Sequence, residues 1–233
     1  MDIFSEQFGG YAFQMLRGAA ITLQLFVVGF LLALLCGTVF GIASSLSRSF
    51  IIQGVYRTYL SIITGVPSLL IIFLIYYGGS AMLTSLFGRS RGFDVTPFGA
   101  GVASLTIVYS AYIAELVRGA IRNLPRGQFE AAAALAIRPF AAWRRVIIPQ
   151  LVRLALPGLV NIWMIVLKDT PLVGLAGLNE LVGNAKIAAG ATKEPFLFFI
   201  AASLFFVAFS ALTLRLSAVL EARFARGIAE AKA

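Results

Sequence analysis

The sequence predicts an all-α membrane protein with five transmembrane helices, an outer N-terminus, an inner C-terminus and one short inner-side helix between the third and fourth spans. Three observations predict it. Hydrophobic residues make up 60% of the chain, charged residues only 12%, and mean hydropathy is positive, which lies outside the range of soluble globular domains. Uncharged runs recur that reach the roughly 20 residues needed to cross a hydrocarbon core. Positive charge is concentrated: Arg118, Arg122, Arg126, Arg138, Arg144, Arg145 and Arg153 stand against Glu130 alone, and basic clusters of this kind stay on the cytoplasmic side.

The elements follow in order within one domain, 1–233. Residues 1–18, with Asp2, Glu6 and Arg17, form a mixed, amphipathic lead-in whose acidic start does not fit a cleaved signal. The first span covers 18–46, where Gly29, Ala33, Gly37 and Gly41 recur every four residues as a ladder suited to close helix packing. A second span, 58–80, contains Pro67 and should kink there, with Gly78, Gly79, Gly88, Arg89, Arg91 and Asp94 forming the exit loop. The third, 97–116, closes on Tyr109, Ser110, Tyr112 and Glu115, which either line a pathway or anchor the span at the membrane interface. After the basic loop 118–149 comes a fourth span, 151–175. Residues 179–194 balance their charges as an outer loop with a small amphipathic piece, 178–189, that lies on the membrane or plugs an entrance. The fifth span is Phe-rich, 195–216, and leads to a tail carrying Arg215, Arg223, Arg226 and Lys232. Five spans with the N-terminus out and the C-terminus in place every basic loop inside.

Composition also excludes functions. The net charge of +9 sits in loops between apolar spans rather than on a stripe with exposed aromatics, so nucleic acid is not the partner. Membrane lipid is. The chain has one cysteine, Cys36, and no histidine, which leaves no internal disulfide and removes the usual zinc ligand and triad base.

Within the loop 118–149, Pro125 suits a first helical turn, the alanines from 131 to 134 favour helix, and Pro139 ends or kinks what precedes it. A helix of about three turns is marginal alone in water and needs a surface. Phe129, Ala133, Ala136 and Phe140 give it an apolar stripe, and Arg126 and Glu130 are spaced to pair. Periodicity fits two readings: a helix laid into a partner's groove, or one resting on lipid headgroups.

The residues resemble the EAA signature of ATP-binding-cassette importer permeases: Glu130, Ala131 and Ala132, then Ala136 where the family has Gly, then Val146, Ile147, Ile148 and Pro149. Since Ala resists positive φ, Ala136 is expected to stay helical, with the bend nearer Arg138 and Pro139. The strings LVRGAIRNLPRGQFEAA and LPGLVNIWMIVLKDTPLVGL resemble the polar amino-acid branch, including histidine, basic amino-acid and opine permeases, over residues 12–224. The resemblance implies that Arg126, Gly127, Glu130, Ala131, Ala132, Ala136 and Pro149 couple the membrane domain to a cytoplasmic ABC ATPase dimer. It also implies a second permease subunit, identical or related, an extracytoplasmic solute-binding protein, and the bacterial inner membrane. No G-x-x-x-x-G-K-[ST] phosphate cradle occurs, so the chain is expected to bind no cofactor and to leave ATP and Mg to a separate polypeptide. The resemblance implies a permease subunit rather than an enzyme.

The fourth span holds the remaining candidates. Fourteen uncharged residues separate Arg153 from Lys168, Pro157 is among them, and Lys168 and Asp169 then arrive together before Thr170 and Pro171. Charges within a span cost about 2.5–3.5 kcal/mol on insertion scales and face protein or water when retained. One reading makes Asn161, Lys168, Asp169 and Thr170 part of a translocation path at a helix break, joined by Tyr112 and Glu115. The other has Lys168 snorkelling and Asp169 capping the next turn. Some relatives that handle cationic amino acids carry Glu immediately after the Asn matched by Asn161, where this chain has Ile162. The resemblance therefore implies that a different permease supplies polar contacts, or that the solute is not a simple cation. An ion-coupled secondary transporter is the rival reading, although no inverted repeat is evident.

Overall fold

The computed structural model describes residues 2–87 and 96–225, and these are helical with no strand among them. Gly88, Arg89, Arg91 and Asp94 of the expected exit loop, and Arg226 and Lys232 of the tail, lie outside the described residues.

Helix α1 (Asp2–Leu46) is continuous, so the lead-in extends the first span instead of preceding it. It packs chiefly on α4 (Pro97–Arg122), whose start is set by Pro97 and by the Thr96 hydroxyl accepting from the Gly99 N–H. The small-residue ladder makes that contact. A Cβ on Gly37 would stand 2.7 Å from the Ser110 carbonyl and from Ile113, one on Gly41 2.7 Å from the Ala114 carbonyl, and Ala33 is fully buried. Phe26, Phe30 and Trp163 of α7 (Ile148–Leu175) pack edge to face beside this seam.

Pro67 does more than kink the second span. Helix α2 (Phe50–Gly65) and α3 (Ser68–Phe87) meet at 104°, with Val66 extended at φ −109° and ψ 130°. A proline pushes its preceding residue out of the helical region, and here nothing restores the helix across the gap. Gly78 and Gly79, expected in a loop, lie within α3. Among the described residues four helices are thus long and apolar enough to cross a membrane, and the bent pair makes a fifth if it counts as one span.

The fourth span is unbroken where the sequence pointed to a break. From α6 (Pro139–Ala142) through a π-helical turn (Trp143–Ile147) into α7 the chain stays helical, with Pro157 and Pro171 inside. Pro171 frees the Leu167 carbonyl, and the Thr170 hydroxyl donates to that carbonyl at 2.8 Å. Asp169 therefore sits mid-helix and caps nothing.

Helix α5 (Arg126–Ala134) ends in a Schellman motif: the Ile137 N–H reaches the Ala132 carbonyl at 3.0 Å and the Ala136 N–H the Ala133 carbonyl at 2.9 Å. Ala136 takes φ +52°, which overturns the expectation that it stays helical. The motif requires a left-handed residue there, and two capping hydrogen bonds outweigh the Cβ penalty of about 1–2 kcal/mol. Ala136→Gly should relieve most of this strain. Net of glycine's entropy, a gain of about 0.5–1 kcal/mol corresponds to roughly two- to five-fold slower exchange of the Ile137 amide by hydrogen–deuterium exchange, whereas Ala136→Val should speed it.

The piece expected in an outer loop is a packed helix, α8 (Leu181–Thr192), seated on α1 and on α9 (Pro195–Ala225) through Met15, Leu181, Ala185 and Phe198. Glu180, fully buried, caps it by accepting from Val182 and Gly183 N–H at 3.0 and 2.7 Å and from the Thr22 hydroxyl at 3.0 Å. Burial pushes its carboxyl pKa up, against the pull of those hydrogen bonds. Gly18 and Gly174 clear the space it occupies.

Candidate functional site

A cavity of about 900 Å³ opens where the α2–α3 break faces α4 and α7. Its wall includes residues 64–68 of the break, Tyr109, Tyr112 and Glu115 from α4, and Asn161, Ile162, Ile165 and Asp169 from α7. The α7 residues recur at helical spacing, so an unbroken α7 presents one face to the cavity, with Asn161 and Asp169 as its polar members. Among the described lining residues are two carboxylates and no Lys or Arg.

Asp169 is held from two other elements and Glu115 from one. Asp169 accepts from the Tyr109 hydroxyl at 2.5 Å and from the Ser68 hydroxyl at 3.4 Å. Ser68 is the first residue of α3, so the carboxylate lies near that helix's N-terminus, where the dipole favours negative charge. Glu115 accepts from the Tyr56 hydroxyl of α2. Over the Tyr56 ring, at 4.5 Å, lies the guanidinium of Arg118, which donates to Gln53 at 3.1 Å. Gln53 in turn donates to the Ser44 and Ser47 carbonyls near the end of α1. One polar chain thus ties the cavity wall to the α1–α2 turn.

Of the six path candidates, the structure brings Asn161, Asp169, Tyr112 and Glu115 to one cavity. Lys168 and Thr170 are not among its lining residues: Lys168 is exposed elsewhere on α7, and Thr170 is buried and engaged with its own helix. Sequence reasoning missed Tyr56, Gln53 and Ser68, and it counted Arg118 as a loop cation although only 7% of that residue is exposed. A polar side chain every three or four residues, Gln53, Tyr56 and Tyr59, was the available signal.

The inserted helix α5 lies apart from the cavity. Phe129 packs edge-on against Trp143 at 6.1 Å, Gln150 donates to Gln128 at 3.1 Å, and Ala132 is buried. These contacts turn Gly127, Glu130, Ala131, Ala133 and Ala134 outward. The expected stripe is corrected accordingly: Ala136 leaves the helix, Phe140 is 77% exposed on α6, and the inward alanine is Ala132 rather than Ala133. Pro149 is exposed at the start of α7, and the side chain of Arg126, with its spacing to Glu130, lies outside the described residues.

Residues 37–226 match the family model described as "Binding-protein-dependent transport system inner membrane component". The chain is 37% identical over 221 residues to the nopaline transport system permease protein NocQ of Agrobacterium fabrum, covering 92% of this chain and 93% of that one. It is 35% identical over 225 residues to the histidine/lysine/arginine/ornithine transport system permease protein HisQ of Salmonella typhimurium, covering 95% and 98%. Among solved structures, an amino acid ABC transporter with histidines superposes with a TM-score of 0.80 at 30% identity, over 93% of this chain and 96% of that one. The MetNI methionine transporter, inward facing, shares the fold at a TM-score of 0.72 and 18% identity, over 92% and 98%. With helices able to span a membrane, a polar cavity among them and this breadth of similarity, the chain belongs to the family of binding-protein-dependent transport system inner membrane components, as an ABC-type permease subunit.

Proposed function

We propose that this permease passes a polar or basic amino acid, or an opine with a guanidinium or ammonium group, along a path that includes the α2–α4–α7 cavity. The observation that carries the reading is the pair of carboxylates, Glu115 and Asp169, on a wall with no Lys or Arg among its described residues. A cationic group leaving water needs compensating charge and hydrogen bonds, and these two groups offer both. Ile162, 8% exposed, offers neither, so the charge stands on α4 and further along α7 instead. The named solutes of the NocQ and HisQ relatives include opine and basic amino acids, which agrees with that chemistry.

In this reading the N-terminus is outside, the C-terminus and the α5 loop face the cytoplasm, and a second permease closes the open side of the cavity. The outward face of α5, with Glu130 and its small neighbours, docks on a cytoplasmic ATPase that holds ATP and Mg. Closure of the ATPase dimer then rocks the two bundles, and an extracytoplasmic binding protein delivers the solute in the bacterial inner membrane. Reconstitution of the whole transporter in proteoliposomes tests this. Uptake of labelled arginine, histidine or nopaline should require internal ATP and survive collapse of ion gradients; uptake driven by an ion gradient without ATP would overturn it.

A further inference from the structure

A cation lies one helical turn from a cavity carboxylate and is not paired with it. Glu115 and Arg118 are three residues apart on α4, the spacing at which opposite charges on a helix ordinarily meet. Yet Glu115 is exposed on the cavity wall while Arg118 is buried, and neither forms an ion pair with a described residue. The guanidinium lies over the Tyr56 ring and donates to the Gln53 side-chain oxygen, and its Nε is buried without a hydrogen-bond partner. A buried guanidinium held by a ring and a neutral amide has no anion to offset its charge, and a carboxylate within reach is its stronger partner.

The two holders are fixed from elsewhere. Tyr56 packs against Phe40 of α1 at 5.6 Å between ring centres, and it touches both charges, its ring the cation and its hydroxyl the carboxylate. Gln53 donates to the Ser44 and Ser47 carbonyls at 2.5 and 3.0 Å, which aims its oxygen at Arg118. Gln53 and Tyr56 are themselves three residues apart, so one face of α2 supplies both contacts.

We infer that Gln53 and Tyr56 form a holding site that keeps the internal cation Arg118 off Glu115, and that they are thereby positioning residues for recognition of a cationic solute. The inference rests on the assignment of Glu115 to that solute. With Arg118 on Glu115, one of the two negative charges of the wall would be cancelled from within the protein.

Two substitutions at Gln53 test this in the complete transporter, reconstituted in proteoliposomes and supplied with labelled arginine. Gln53→Met and Gln53→Glu both remove the amide that donates to Ser44 and Ser47, but only Gln53→Glu keeps an oxygen for Arg118. Gln53→Met should raise the KM for arginine by about ten-fold or more, the effect of losing one hydrogen bond to a charged group, while Gln53→Glu keeps it near the wild-type value. Adding Arg118→Gln to Gln53→Met should restore the KM, because no internal cation is left to occupy Glu115. Tyr56→Leu removes the other support and should be rescued in the same way. Cryo-electron microscopy of the Gln53→Met transporter in nanodiscs should show the Arg118 guanidinium on the Glu115 carboxylate, and thermal unfolding checks that each variant is folded. An equal rise in both Gln53 variants would overturn the proposal and make Gln53 a brace of the α1–α2 turn, as would failure of Arg118→Gln to rescue, or a guanidinium still on the Tyr56 ring in Gln53→Met. If Glu115→Gln leaves the KM for arginine unchanged while Arg118 moves onto Glu115 in Gln53→Met, the holding site stands and the assignment of Glu115 to the solute falls.

Discussion

Glu130→Lys should abolish solute-stimulated ATP hydrolysis and uptake while leaving the helical bundle intact. Glu130 is exposed on α5 and forms no hydrogen bond with a described side chain, so no contact among the described side chains is lost when its charge reverses. Surface changes of this kind alter stability by about 0.5 kcal/mol or less. A docked carboxylate is different. Truncating one partner of a buried, hydrogen-bonded charge pair at an interface costs about 2–5 kcal/mol, and reversal adds repulsion. At about 1.4 kcal/mol per decade, coupling should fall by roughly 30-fold or more. Stimulated ATPase, uptake and thermal unfolding of the same reconstituted sample separate the two effects: normal uptake by the variant would count against α5 as the contact, and lost folding would make it a structural residue.

Why Glu130 is available at all is a matter of local packing. Phe129 on Trp143, Gln128 with Gln150 and buried Ala132 fix one side of α5 to the start of the fourth span, so the other side is presented rigidly. The Schellman turn at Ala136 then redirects the chain within two residues, and the run from Pro139 to Leu175 carries any displacement of α5 into the helix that holds Asn161 and Asp169. A rigid helix is the simplest physical link between the two places, and Asp169 lies on it.

Much of this was legible in the residues, and the failures share a cause. Uncharged length and basic loops point to membrane helices because bilayer thickness and insertion cost depend on composition alone. The Gly29–Gly41 ladder was legible because close approach depends on side-chain size, and it meets α4 as its spacing indicates. Proline was the weak point. Pro67 breaks its helix, whereas Pro157 and Pro171 stay inside α7, where the Thr170 hydroxyl takes up the carbonyl that Pro171 frees. Ala136 was misread because propensity weighed its Cβ and not the two hydrogen bonds that a left-handed residue permits. In the cavity, Asp169 and Glu115 were visible as charges within spans, but Tyr56 and Ser68 come from elements more than 50 residues away, and only tertiary structure brings them there.

The second large effect is expected at those two carboxylates. Asp169→Asn and Glu115→Gln keep an oxygen that can accept from Tyr109 and Tyr56, so the walls should stay joined while the negative charge is removed. A hydrogen bond to a charged group contributes about 1.5–3 kcal/mol, so each variant should raise the apparent KM for a cationic solute by roughly 10- to 150-fold. A neutral amino acid admitted by the same transporter should change little. That contrast decides the role: a merely structural pair would, on substitution, depress uptake of charged and neutral solutes alike through kcat. The hydroxyl partners give a further check. Tyr109→Phe removes the donor to Asp169 but leaves its charge, and the cation preference should survive even if the rate falls. Equal loss of both solutes in Asp169→Asn, with the ladder between α1 and α4 undisturbed, would make Asp169 a strut between α3 and α7 and leave the cation to the partner permease.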